Sequence, residues 1–175
     1  MKAKVILICA CLCIVVIAVV ASLMGRGDGE GSISIDCPGG TLRLSGGFLN
    51  NITLGPGPET RRVAAKDYVP KWLTVAVQNG RDTWRLQSSG PWGDIARVKV
   101  KKNETTVVKA GPPLQIMAGA RVNGRDVSVG LAIFGQAGEK YSNVITMNGS
   151  AMPSPRAKLI DQDGNVLASG RFEYG

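Results

Sequence analysis

The last part of the chain carries three oxygen-bearing side chains at alternate positions, as the first half of a calcium loop does. Asp161, Asp163 and Asn165 would occupy positions 1, 3 and 5 of an EF-hand loop. That loop also needs a glycine at position 6 and a bidentate glutamate at position 12, where this chain has Val166 and Phe172. The match therefore ends after three ligands, and a weak calcium site is only the alternative interpretation.

The residues around this cluster favour a β-hairpin. Leu159-Ile160 and the alternating residues that follow Val166 are typical of strands, and Asp163-Gly164 between them is typical of a turn. This ending, with Gly170 and Phe172-Glu173-Tyr174, resembles the last hairpin of small Ig-like or transthyretin-like sandwich domains of bacterial surface proteins. The resemblance implies a sandwich displayed outside the membrane, with no activity of its own and no binding residues to carry over.

Catalytic chemistry finds little support in the composition. The 175 residues contain no histidine, which excludes Ser-His-Asp and Cys-His nucleophiles and histidine metal sites. Three carboxylates could act as an acid or base, Asp67, Asp94 and Glu139, but they are isolated and belong to no motif. We therefore predict a non-catalytic protein and assign no catalytic, cofactor or metal residue.

The N-terminal segment is apolar enough to enter a membrane. Val5 to Met24 is a run of twenty residues without a charged side chain. A helix of that length, at about 1.5 Å per residue, spans roughly the 30 Å hydrocarbon layer. Val19-Val20-Ala21 also offers a signal cleavage site before Ser22, although a signal h-region usually has only about 7 to 15 residues. The length favours an uncleaved anchor, and cleavage is the alternative.

The flanking charges predict the orientation and the domain organisation. Lys2 and Lys4 should hold the N-terminus in the cytoplasm, so that the body lies outside it, or is secreted or periplasmic after cleavage. We divide the chain into an anchor or signal segment (1–24), a Gly-rich linker (25–32) and an extracytoplasmic domain (33–175). Cys37 is the one cysteine beyond the apolar segment, which predicts a buried or idle thiol or an intermolecular bridge.

Two Asn-Gly pairs predict hairpins in the body. A two-residue turn at Asn123-Gly124 pairs Ala120 with Val127 and collects apolar side chains of both strands on one face. A turn at Asn79-Gly80 likewise pairs Val75 with Trp84 and leaves the opposite face polar. Short strands joined by such turns predict an all-β fold, an antiparallel β-sandwich of Ig-like or Greek-key (jelly-roll) type.

A third predicted hairpin, in residues 95–110, carries the main concentration of positive charge. Ala96, Val98 and Val100 alternate there with basic residues, which places the charges on one strand face. The candidate contact for an anionic surface is the set Arg97, Lys99, Lys101, Lys102 and Lys109. Lysines also protect exposed sheet edges from aggregation, which is the alternative explanation of the same residues.

The net charge points to the same class of partner. The chain carries +8, or +6 once Lys2 and Lys4 are set aside. A basic extracytoplasmic surface favours anionic lipid or polymer over nucleic acid. We therefore predict a membrane-tethered binding, adhesion or assembly module, with a protein partner also open. The alternative is a carrier or scaffold for a lipid or anionic envelope polymer.

Overall fold

Strands and tight turns make up most of the chain in a computed structural model, which describes residues 29–47, 50–57, 59–142 and 144–172. The described part is nearly all β, with several antiparallel sheets, as the sequence predicts. In chain order the strands are β1 Glu30–Asp36, β2 Gly40–Ser45, β3 Asn51–Leu54, β4 Arg61–Ala64, β5 Asp67–Asn79, β6 Asp82–Ser88, β7 Val98–Lys99, β8 Thr105–Lys109, β9 Gln115–Asn123, β10 Asp126–Phe134, β11 Lys140–Tyr141, β12 Thr146–Met147, β13 Ser150–Ala151, β14 Arg156–Ile160 and β15 Val166–Arg171. A 3-10 turn, Gly93–Ile95, precedes β7.

The largest sheet is built on β5, the longest strand. Its order is β13-β12-β6-β5-β2-β3, and β7 pairs with β5 at a separate point. The alternation of apolar and polar side chains along β2 explains which face of the sheet is buried. Leu42 and Leu44 are fully buried, whereas Arg43 between them is exposed. Leu73 and Val75 of β5 follow the same period of two and face the same core.

A second sheet, β4-β1-β8, supplies the other part of the core. Its β1·β4 pairing is antiparallel, but β1 and β8 run parallel, with Ile33 opposite Thr106. Ile33 and Ile35 of β1 and Val108 of β8 are buried in one hydrophobic cluster with residues of the large sheet. Two sheets that share one core are consistent with a β-sandwich.

Two hairpins extend from this body. β9 and β10 pair over nine residues each, and β11 adds to the base of β10. β14 and β15 form a two-stranded sheet of their own, with a bulge near Leu159 and Ile160. Most residues of both hairpins are exposed, and only the base of β10, at Ile133, belongs to the core.

The hairpin registers differ from the predicted ones by two residues. In β5–β6, Val75 pairs with Leu86, not with Trp84, and in β9–β10, Val127 pairs with Val122, not with Ala120. The physical reason is the turn: the loop residues are Gly-Arg, and only Gly80 and Gly124 have positive φ, 62° in both. Positive φ at the first loop position alone matches a type II′ turn, which begins one residue later than the predicted type I′ turn.

The predicted hairpin in residues 95–110 is wrong. β7 joins β5, with Val98 opposite Tyr68, whereas β8 joins β1 in the other sheet. The alternation of burial was correct for Val98 and Val100, which are buried, but Ala96 is exposed. The two strands separate because each finds a partner in a different sheet.

The N-terminal predictions fall mostly outside the described residues. The anchor or signal segment, residues 1–24, and the first linker residues lie there. β1 begins at Glu30, so the end of the predicted linker is already strand. Within the described part of the chain, no helix is long and apolar enough to cross a membrane.

Candidate anion-binding groove

A groove of about 410 Å³ lies where β7 and β8 separate. The two strands approach each other at one end, where the Thr106 hydroxyl donates a hydrogen bond to the Lys99 carbonyl, 3.2 Å away. Buried Ile95, Val98 and Val108 line the groove together with polar residues. The groove therefore exists because neighbouring strands in sequence belong to different sheets.

The edges of β7 and β8 that face the groove are unpaired in the described sheets. β8 is the last strand of its sheet, and β7 pairs only with β5. The amide of Val100 donates to Lys66 of the neighbouring chain segment, at 3.0 Å, so the even-numbered residues of this strand point their backbone toward β5. The backbone of Lys99 accordingly points toward β8.

Basic side chains surround this groove. Of the five predicted contact residues, Arg97, Lys99 and Lys109 line it. All three are exposed, and Asp94 is the one acidic side chain among the described lining residues. The remaining lining residues are Thr106, Val107, Gln136 and Ala137 in addition to the three buried apolar residues. The wall of the groove is therefore basic and its floor apolar.

The other two predicted residues lie elsewhere. Lys101 forms an ion pair with Glu104 at 3.5 Å, and both side chains are exposed. The stem of Lys102 lies against Gly29, where a β-carbon would meet it at 2.8 Å. Both lysines belong to the turn that connects β7 to β8, and neither lines the groove.

The charges of the groove are only weakly neutralised by protein groups. Arg97 contacts Asp67 at 3.6 Å, but the side chains are 75% and 45% exposed. Exposed pairs of this kind contribute little because water screens them. Gln136 uses its amide to hold the strand ends, donating to the Ala110 carbonyl at 2.8 Å. The basic side chains of the groove thus remain accessible to an anionic partner.

A buried polar cluster supports the far end of the groove. Glu139 is completely buried, and its carboxylate accepts hydrogen bonds from the Gly111 amide at 2.6 Å, the Ala137 amide at 3.0 Å and the Tyr141 hydroxyl at 2.9 Å. The Ala137 carbonyl accepts in turn from the Asp94 amide at 2.8 Å. The cluster ties the 3-10 turn to the segment between β10 and β11, and so fixes one wall.

Cys37 lies beside this cluster. Its side chain is 4% exposed, and burial, with the nearby carboxylates of Glu139 and Asp36, raises the pKa of the thiol to about 11. A β-carbon at Gly40 or Gly111 would overlap its sulfur, so both positions need glycine. The prediction of a buried thiol is confirmed. Burial also raises the pKa of Tyr141, a shift to which Glu139 adds.

The three carboxylates considered for catalysis have separate structural roles. Asp67 contacts Arg97, Asp94 belongs to the 3-10 turn, and Glu139 holds the buried cluster. The buried role was missed at the sequence level, because Glu139 stands between a glycine and a lysine in a polar stretch. The signal that could have revealed this role is Tyr141, two residues further on, whose hydroxyl can donate to the carboxylate.

The acidic cluster of the last hairpin is a turn. The Asp161 carboxylate accepts from the Asp163 and Asn165 amides at 3.0 and 2.8 Å, and from the Asn165 side chain at 2.9 Å. These bonds, the Asn165 side chain first, lower the pKa of Asp161. Gly164 has a φ of 85°, as such a turn requires. Both oxygens of Asp161 therefore serve the turn.

Comparison with known proteins adds no assignment. No protein-family model matches the chain, and searches of the curated proteins and of the solved structures found no match.

Proposed function

We propose that this chain is a non-catalytic binding module, an Ig-like or jelly-roll sandwich that Val5 to Met24 tethers to the outer face of a membrane. Its partner carries negative charge and contacts the groove between β7 and β8. One observation supports this above the others: Arg97, Lys99 and Lys109 line a concave site in which Asp94 is the one acidic residue of the described lining.

The energetics fit weak, reversible contact. A basic residue near an anionic surface contributes on the order of 1 kcal/mol within about a Debye length. Three residues would then give roughly 3 kcal/mol, or a little more than a hundredfold in affinity. For a domain held close to a membrane or an envelope polymer, a contact of that strength is enough to set its orientation.

The runner-up function is a carrier or scaffold for a lipid or anionic envelope polymer. The apolar floor of the groove, formed by Ile95, Val98 and Val108, supports it, because an acyl chain or sugar face could rest there. The groove is small for a carrier, however, since 410 Å³ is near the lower end for ligand pockets. We therefore prefer surface contact to carriage.

Vesicle sedimentation tests the proposal. A fragment of residues 29–175 contains every core residue, from Ile33 to Tyr141. We expect it to sediment with vesicles that contain phosphatidylserine, or to bind an acidic polysaccharide, at low salt, and to dissociate as salt rises. Changing Arg97, Lys99 and Lys109 to Gln should weaken binding about a hundredfold.

The matched control removes the same charge elsewhere. Changing Lys71, Lys101 and Lys102 to Gln also lowers the net charge by three, but none of these residues lines the groove. We expect this variant to retain binding. Equal losses of affinity in the two variants would show that general surface charge drives the binding. The proposal would be rejected if the fragment bound neither the anionic vesicles nor the acidic polysaccharide.

A further inference from the structure

Two hairpins carry most of the exposed large hydrophobic residues of the described chain. An isolated two-stranded hairpin is marginally stable in water, and a large exposed apolar patch usually marks an interaction surface. The exposed residues are Ile116, Met117, Val122, Val127 and Val129 on β9–β10, and Leu159, Ile160, Val166 and Leu167 on β14–β15.

Each hairpin has an apolar face that is exposed in the described chain. On the outer part of β9–β10, beyond the buried base at Ile133, Val122 lies opposite Val127 and Ala120 lies opposite Val129, so branched side chains share one face with a small alanine. On β14–β15, Leu159 lies opposite Ala168, beside the pair Ala157 and Gly170. The first face is broad and branched and the second nearly flat, which suits packing of one sheet on the other.

The tips of the two hairpins carry opposite charge. Arg125 lies in the turn of β9–β10, where Asp126 is the one acid, and Arg121 stands near it on the face opposite Val122. The turn of β14–β15 carries Asp161 and Asp163. When the two apolar faces pack with their tips side by side, these charges lie near each other. Charge complementarity thus specifies the same pairing that apolar burial favours.

The connection that leads to β14 favours packing of the β14–β15 hairpin on a second copy over packing on its own chain. Met152 is fixed to the body, because its amide donates to the Ile145 carbonyl at 2.8 Å. Pro153 and Pro155 follow directly, and a Pro-x-Pro segment is a semi-rigid spacer. No residue of β14 or β15 belongs to the core of the described body. The outer part of β9–β10 and most of β14–β15 stay exposed within one chain.

We propose that the β14–β15 hairpin of one copy packs on the β9–β10 hairpin of a second copy. The contact is heterologous, since different surfaces of the two copies meet, and it therefore builds a ring or an open chain of copies. This goes beyond contact with an anionic partner, because it uses neither the groove nor its basic residues.

Capture between tagged and untagged full-length chains in mild detergent tests this. Wild-type chains should capture each other. Reversing one tip charge in all copies, by Arg125→Glu or by Asp163→Lys, should reduce capture about tenfold, the effect of ~1.4 kcal/mol. Mixing the two variants should restore capture, because one wild-type pair of tips then forms. Lys71→Glu, a charge reversal distant from both hairpins in sequence, should leave capture unchanged.

Each other result overturns the proposal. Association through the N-terminal segment would give equal capture in all variants. Folding of β14–β15 onto its own β9–β10 would give a monomer, which sedimentation equilibrium measures directly. A mixture that captures no better than either variant alone excludes the head-to-tail arrangement. Circular dichroism melts of each variant confirm that the chains compared are folded.

Discussion

Single residues in this protein matter most where the two sheets and the groove meet. Glu139 and Tyr141 form a buried polar cluster beside Cys37, and the Glu139 carboxylate accepts three hydrogen bonds of 2.6, 3.0 and 2.9 Å. A buried carboxylate is tolerated only when donors surround it, and here two backbone amides and one hydroxyl do so. The cluster therefore acts as a fixed joint between β8, the 3-10 turn and β11.

The Cys37 thiol should resist alkylation until the solution is strongly alkaline. The pKa of this thiol is about 11 in the folded protein and 9.0 for an ordinary thiol. The protonated thiol therefore leaves the stability of the folded protein at its full value below pH 9, and that stability falls as pH rises through 11. Mass spectrometry of iodoacetamide-treated protein should show little modification of Cys37 at pH 8, and Cys37→Ala should remove this part of the alkaline destabilisation.

The matched control is the same reaction in guanidinium chloride, where the exposed thiol should react at pH near 9. Rapid modification of folded Cys37 at pH 8 would contradict the buried location.

At the level of elements, the strands, their faces and their hairpin partners were predictable, but the exact registers and the non-local partners were not. The hydrophobic pattern has a period of two, so a register shift of two residues leaves every side chain on its face. The pattern therefore could not distinguish the predicted register of β5–β6 from the observed one. The position of the positive φ, at Gly80 and not at Asn79, decides between them.

Alanine at the two turn glycines should have different consequences. Gly80 and Gly124 share a φ of 62°, and a β-carbon meets nothing within 4 Å at either, so backbone strain is the whole effect. Gly80→Ala should lower the free energy of unfolding by about 1 kcal/mol, because β5 and β6 belong to the core sheet. Gly124→Ala should change it less, since the outer part of β9–β10 lies outside the core.

Urea unfolding of both variants measures this difference, and hydrogen exchange should locate the effect of Gly124→Ala in β9–β10 itself. Equal losses of stability would show that β9–β10 unfolds together with the body.

For the whole molecule, the body and the last hairpin should be separable. The core cluster runs from Ile33 to Tyr141 and includes no residue of β14 or β15. Deleting residues 155–175 should therefore shift the melting temperature by no more than a few degrees, while association between copies is lost. A melt that loses its cooperativity would show that the hairpin contributes to the core.

The sequence by itself determined the all-β class, the places of the β5–β6, β9–β10 and β14–β15 hairpins, the lack of an internal disulfide at Cys37 and the turn at Asp163-Gly164. All of these follow from local chemistry, namely side-chain alternation, turn residues and the absence of a disulfide partner outside the apolar segment. Only the tertiary structure decided that β7 and β8 join different sheets, and hence that Arg97, Lys99 and Lys109 surround a groove while Lys101 and Lys102 do not. The physical reason is that strand pairing is a non-local choice: β8 pairs with β1, more than seventy residues away, and no local pattern in residues 95–110 records that partner.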